Sequence, residues 1–171
     1  DFVKSRGMAC SVYAAHHLLE ALYLHGEADH ALSLMTADHD RGWLNMLRAG
    51  STVTLEAWDW KYKNNLDWNH AWGAAPAGVI PRWLAGVRPL EPGFSRILVA
   101  PQPGALEHFS ARVPTIRGPV TVEYRRDARG YDLAVTLPAN TRGVLRLPAS
   151  GGDFPLAPGT QSRRIEFRSA R

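Results

Sequence analysis

The 171-residue sequence has one cysteine, no long apolar run and no lysine beyond position 63. With a single thiol, Cys10 has no partner for an internal disulfide, and it lacks the neighbouring Cys and His ligands of a structural zinc site. Placed in an apolar, helix-like run, it reads as a small core residue. No stretch approaches the roughly 20 apolar residues of a membrane span, so no membrane partner is expected. The start, Asp1-Phe2-Val3-Lys4, has neither an initiator Met nor a signal-peptide core, which suggests a chain cut or processed from something longer. His16, His17, His25, His30, His39 and His108 show no H-E-x-x-H or Cys/His spacing, so no metal is assigned. A P-loop, a G-x-G-x-x-G turn and a G-x-S-x-G elbow are also missing, and no cofactor is expected.

The missing lysines matter for charge. Residues 1–86 carry 7 Lys+Arg against 9 Asp+Glu, and residues 87–171 carry 13 against 7, all 13 of them Arg. Those arginines are scattered over strand-like segments. A nucleic-acid surface needs a contiguous basic face, so no nucleic acid is expected as a partner.

What is present divides by period. Met8, Val12, Ala15, Leu19, Leu22 and Tyr23 recur at helical spacing and predict a helix from Met8 to Leu24, with Gly26 beyond it as a cap. Shorter helices are expected over 27–37 and 42–49, with short loops that favour antiparallel packing. Asn69 is placed to cap another helix reaching Leu84, made irregular by Pro76 and Pro81. Past Pro89 the period becomes two. Strands are predicted over 96–99, 109–113, 120–124, 131–137 and 144–147, with hairpin turns at Asp127–Gly130, where Gly130 suits positive φ, and at Asn140–Gly143. The fold class is α+β: a helical segment, residues 1–88, then an antiparallel β-sandwich, residues 89–171, built most simply from consecutive hairpins.

All six Trp lie between positions 43 and 83, and Trp58, Trp60, Trp68 and Trp72 flank the one stretch without periodicity. An indole offers an apolar face and an N–H donor, which suits stacking on the C–H face of a sugar. A single Trp is more often a packing anchor; a cluster beside carboxylates points to a site. Within it, Thr54-Leu55-Glu56-Ala57-Trp58-Asp59 sets Glu56 at the end of a short apolar approach, where burial would raise its pKa and where it could take a proton from water. A surface carboxylate is the plainer reading of the same residue. Asp59 is too near in sequence to be its acid–base counterpart, since inversion needs carboxyl groups about 6.5–9.5 Å apart across the bond. It is expected to bind a hydroxyl or orient a neighbour. His70 either donates to a hydroxyl or to Glu56, or caps the helix.

Three runs carry a resemblance: Thr52 to Asp59, Asp67-Trp68-Asn69-His70-Ala71-Trp72-Gly73-Ala74, and Gly86-Val87-Arg88-Pro89-Leu90-Glu91-Pro92-Gly93-Phe94. With Pro101-Gln102-Pro103, Pro114 to Val120 and Leu137 to Asn140, in order, they resemble the C-terminal third of bacterial α-L-rhamnosidases. The resemblance implies the last helices of an (α/α)6 barrel that hydrolyses terminal α-L-rhamnosyl groups by inversion, followed by a β-sandwich. It implies Glu56 as general base, and Trp58, His70 and Trp72 lining the sugar pocket. Leu55 stands where many members have Trp. The family's general acid lies upstream, outside this chain, so the chain alone is expected to be inert and to need the missing N-terminal part of the barrel. A rhamnose-containing glycoside or polysaccharide is the implied substrate, and a periplasmic or extracellular location follows from the family alone. Two other readings stand beside this one: a non-catalytic carbohydrate-binding or interaction module whose stable unit is the β-half, and an orphan piece with no ligand.

Overall fold

The structure, a computed structural model, describes residues 1–147 and 152–167. It divides into two compact units, Asp1–Ile80 and Pro81–Arg171.

In the first unit the helices are α1 (Phe2–Arg6), α2 (Val12–Leu24), α3 (Ala28–Met35), α4 (Trp43–Arg48) and α5 (Ala75–Val79). Helix α2 buries Val12, Ala15, Leu19, Leu22 and Tyr23 on one stripe, as its period predicts, and packs on α3 and α5. It begins at Val12 rather than Met8. Gly7 has φ 57° and Ser11 is extended, with its hydroxyl accepting from the Ala14 N–H at 3.4 Å, so the cap sits at Ser11. Met8 is still buried, and an apolar stripe that continues through the lead-in mimics an extra turn of helix. Cys10 accordingly lies before the helix and is only part-buried, although burial still pushes its thiol pKa up.

The helix expected from Asn69 to Leu84 is broken into a 3₁₀ turn (Ala71–Gly73), α5 and a wider π-type turn (Ile80–Leu84). Pro76 is tolerated near the start of α5, and Pro81 removes a backbone donor where an unbroken α-helix would need it. Asn69 caps nothing. Its own N–H is taken by the Asp67 carboxylate at 3.3 Å, and His70 occupies the cap position without a side-chain bond.

The second unit is a sandwich of two four-stranded sheets, of order β1-β2-β6-β7 and β3-β4-β5-β8. The strands are β1 (Val87–Pro89), β2 (Arg96–Val99), β3 (His108–Val113), β4 (Val120–Arg126), β5 (Gly130–Leu137), β6 (Arg142–Arg146), β7 (Asp153–Leu156) and β8 (Gly159–Glu166). Ile97, Val99 and Leu145 from one sheet meet Val120, Val122, Leu133 and Val135 from the other in a shared core. Consecutive hairpins do not account for all of it: β2 and β6 pair in parallel, and Asn140–Gly143 lies between β5 of one sheet and β6 of the other rather than in a hairpin. The β4–β5 hairpin forms as expected. There the Asp127 carboxylate accepts from the Arg129 and Gly130 N–H groups at 2.8 and 3.0 Å, and Arg164 joins it, holding its pKa down at about 2.

Gly130 is required for a reason other than positive φ, which it does not have. It faces β8 so closely that a Cβ would lie 2.1 Å from the Ile165 carbonyl oxygen. Gly130→Ala should therefore destabilise the sandwich by about 2 kcal/mol or more, read as a lowered urea midpoint with unchanged slope. Wild-type stability in that variant would mean that β8 does not hold this register.

Candidate active site

The segment bearing Glu56 has no helix or strand of its own; hydrogen bonds to residues 67–70 hold it. The Thr54 hydroxyl donates to the His70 carbonyl at 2.6 Å, the His70 N–H donates to the Thr54 carbonyl at 2.9 Å, and the Glu56 N–H donates to the Asp67 carbonyl at 3.1 Å. Leu55, between them, is fully buried, and its N–H faces the Met46 sulfur at 3.4 Å. Leu55 is thus an anchor under the loop and not a pocket wall. Gly73 closes the clasp from the other side: a Cβ there would lie 2.6 Å from the Leu55 carbonyl oxygen and 3.0 Å from Thr54 Cβ.

Glu56 is held at both oxygens. Its Oε1 accepts from the Tyr13 hydroxyl at 3.2 Å and pairs with Lys63 Nζ, and its Oε2 accepts from the Asp67 N–H at 3.2 Å. The side chain is 16% exposed. Burial alone would raise its pKa, as the sequence suggested. The Lys63 ammonium outweighs that, and with the Asp67 and Tyr13 donors it holds the carboxyl below its ordinary value. Glu56 is therefore ionised at neutral pH and able to accept a proton.

The other anticipated residues separate into two groups. His70 and Trp72 come together around Tyr13, the residue that donates to Glu56; its ring meets His70 edge-on at 5.3 Å and Trp72 at 5.4 Å. Trp72 is 73% exposed, with an open indole face. Trp58, expected on the pocket wall, is instead 3% exposed; its N–H donates to the Cys10 carbonyl at 2.7 Å, and its ring packs edge-on against Trp43 at 4.9 Å. An indole so enclosed has no face to offer a sugar. Asp59 orients a neighbour: its carboxylate accepts from Asn45 Nδ2 at 2.9 Å and from the Lys61 N–H at 3.1 Å, capping the turn Trp60–Tyr62, and these donors lower its pKa. Tyr13 and Lys63 were not anticipated. Tyr13 stands off the buried stripe of α2, next to His16 and His17, and an aromatic on the polar side of an amphipathic helix is the signal that marks it.

A concavity of about 410 Å³ opens beside Tyr13 and Trp72, between His16, His17 and Gly78. A larger one, of about 660 Å³, lies on the β3-β4-β5-β8 sheet around His108, Arg125, Asp132 and Arg164, and contains none of the candidate residues. Among the described residues no three His, Cys, Asp or Glu side chains group as metal ligands, and no helix is long and apolar enough to cross a membrane.

The first unit thus carries a clasped, ionised carboxylate and an exposed indole, and a β-sandwich follows it in the chain. The comparisons give the family. Residues 4–84 match the bacterial α-L-rhamnosidase six-hairpin glycosidase domain, and residues 86–155 match the bacterial α-L-rhamnosidase C-terminal domain. The chain belongs to the bacterial α-L-rhamnosidase family. It is 27% identical over 141 residues to the α-L-rhamnosidase of Alteromonas sp. (strain LOR), covering 77% of this chain and 15% of that protein. It is 27% identical over 146 residues to that of Streptomyces avermitilis, covering 80% and 14%. Its fold matches the α-L-rhamnosidase of Dictyoglumus thermophilum with a TM-score of 0.80 at 20% identity, over 91% of this chain and 21% of that one. It also matches the S. avermitilis α-L-rhamnosidase complexed with L-rhamnose, with a TM-score of 0.76 at 21% identity, over 88% and 17%. The chain thus spans about a seventh of the length of these curated relatives.

Two substitutions separate packing from site. Trp58→Ala should cost about 3–5 kcal/mol in denaturant unfolding, whereas Trp72→Ala should stay within about 0.5 kcal/mol of wild type. Equal costs would contradict the division. Lys63→Met should raise the Glu56 pKa, seen by carboxyl-carbon NMR titration, because the cation that favours the charged form is gone. An unmoved titration would show that the ion pair does not set the charge of Glu56.

Proposed function

We propose that these residues form part of a glycoside hydrolase that removes terminal α-L-rhamnosyl groups from glycosides or polysaccharides by inversion, with Glu56 as the general base. The observation that carries the reading is the fixed, ionised Glu56 carboxylate beside His70 and the open face of Trp72. In the reaction, one O–H bond of a water breaks and its proton passes to Glu56. The water oxygen bonds to the anomeric carbon from one face as the glycosidic C–O bond breaks on the other, and a carboxylic acid protonates the leaving oxygen. That acid must stand about 6.5–9.5 Å from Glu56, across the sugar. Asp59 is occupied by Asn45 and the turn it caps, and the resemblance to the family implies that the acid comes from the preceding part of the six-hairpin domain, which is then the partner that residues 1–88 need. His70 is suited to donate to a sugar hydroxyl and Trp72 to stack on the sugar ring. The bound L-rhamnose named for the S. avermitilis relative supports the choice of sugar.

In the complete gene product, Glu56→Gln should cut turnover of an aryl α-L-rhamnoside by about 10²- to 10⁴-fold with folding unchanged. Retained turnover would remove Glu56 from the mechanism. The 171-residue chain alone should release no rhamnose; release that Glu56→Gln abolishes would place the acid within the chain.

A further inference from the structure

We infer that Tyr13 is the positioning residue of Glu56: together with Lys63 its hydroxyl fills Oε1, leaving Oε2 as the oxygen that takes the proton from water. The inference rests on the reading of Glu56 as general base. A carboxylate has about four lone-pair sites, two on each oxygen. The Tyr13 hydroxyl and the Lys63 ammonium both sit on Oε1, whereas among the described residues Oε2 receives only the Asp67 N–H. One acceptor site is left, and it is on Oε2.

Tyr13 is well placed to hold that geometry. It lies in the first turn of α2, whose Ser11 cap and buried Val12 and Ala15 fix the backbone beneath it. Its ring is braced edge-on by His70 and Trp72, so a single side chain ties the base to both proposed sugar-contacting residues. Desolvation and the Glu56 charge push its phenol pKa up, which keeps the hydroxyl a donor at any pH at which the site would work. The charged and titratable groups facing Glu56 are Lys63, Tyr13, and Asp67 with His70 from the clasping segment. Without the hydroxyl, one Oε1 site opens and that oxygen is held only by the long, flexible Lys63 side chain, so the carboxylate is less firmly oriented.

The test is Tyr13→Phe, which keeps the ring and its aromatic contacts. In the complete gene product the inference expects kcat to fall about 10- to 100-fold with KM within about twofold of wild type, the signature of a misplaced reacting group rather than lost binding. The acid limb of the rate profile should move to higher pH, because removing a donor raises the pKa of the base. In the 171-residue chain, Glu56 in Tyr13→Phe should likewise titrate above wild type by carboxyl-carbon NMR. Unchanged kcat, acid limb and titration in Tyr13→Phe, with Glu56→Gln inactive, would overturn the role of Tyr13 and leave Glu56 as base. An active Glu56→Gln would overturn both.

Discussion

The clasp between residues 54–56 and 67–70 is the constraint on which the site depends. These segments belong to no regular element, yet three hydrogen bonds and the buried Leu55 fix them relative to each other. The same clasp places the Asp67 N–H on the Glu56 carboxylate and His70 beside it. Backbone groups held this way lose little entropy when a ligand arrives, which is the advantage of a pre-formed loop. The aperiodic, tryptophan-rich stretch is thus an ordered support and not a flexible linker.

Charge follows from that geometry. A carboxylate with partly hidden side chain would ordinarily drift toward its protonated form, but Lys63 and two hydrogen-bond donors reverse the balance. For a base this direction is the useful one, since the ionised form is the reactant. Asp59, three residues on, is also ionised, but its donors are Asn45 and the turn it caps. Neighbouring carboxylates therefore take different roles, one facing the site and one supporting it.

Much of the fold could be read from the sequence because period and burial coincide: the α2 stripe, strands β2 to β6 and the Asp127 turn are all visible as pattern. Pattern failed where burial did not follow it. Strand β8 pairs with β5 over eight residues, but its inward positions are Gln161, Arg163 and Ile165, so little alternation of hydrophobicity remains. Strand β1 is only three residues long and ends in Pro89, and β7 contains Pro155. At the candidate site, composition and resemblance singled out Glu56, His70 and Trp72, and the structure gathers all three around Tyr13. Trp58 was not separable from Trp72 in sequence, since the same side chain serves equally as a packing anchor or an open face, and only burial distinguishes them. Tyr13 and Lys63 reach Glu56 from 43 residues before it and from across the loop, contacts that no local spacing encodes.

The central claim is that Glu56 addresses water at a bound rhamnosyl group. A crystal structure of the complete gene product with L-rhamnose tests it most directly. The account predicts a water within about 2.6–3.2 Å of Glu56 Oε2, on the face of the anomeric carbon opposite the leaving oxygen, with a second carboxyl about 6.5–9.5 Å from Glu56 across the sugar. A sugar bound elsewhere, or a Glu56 turned away with no water between it and the anomeric carbon, would contradict it.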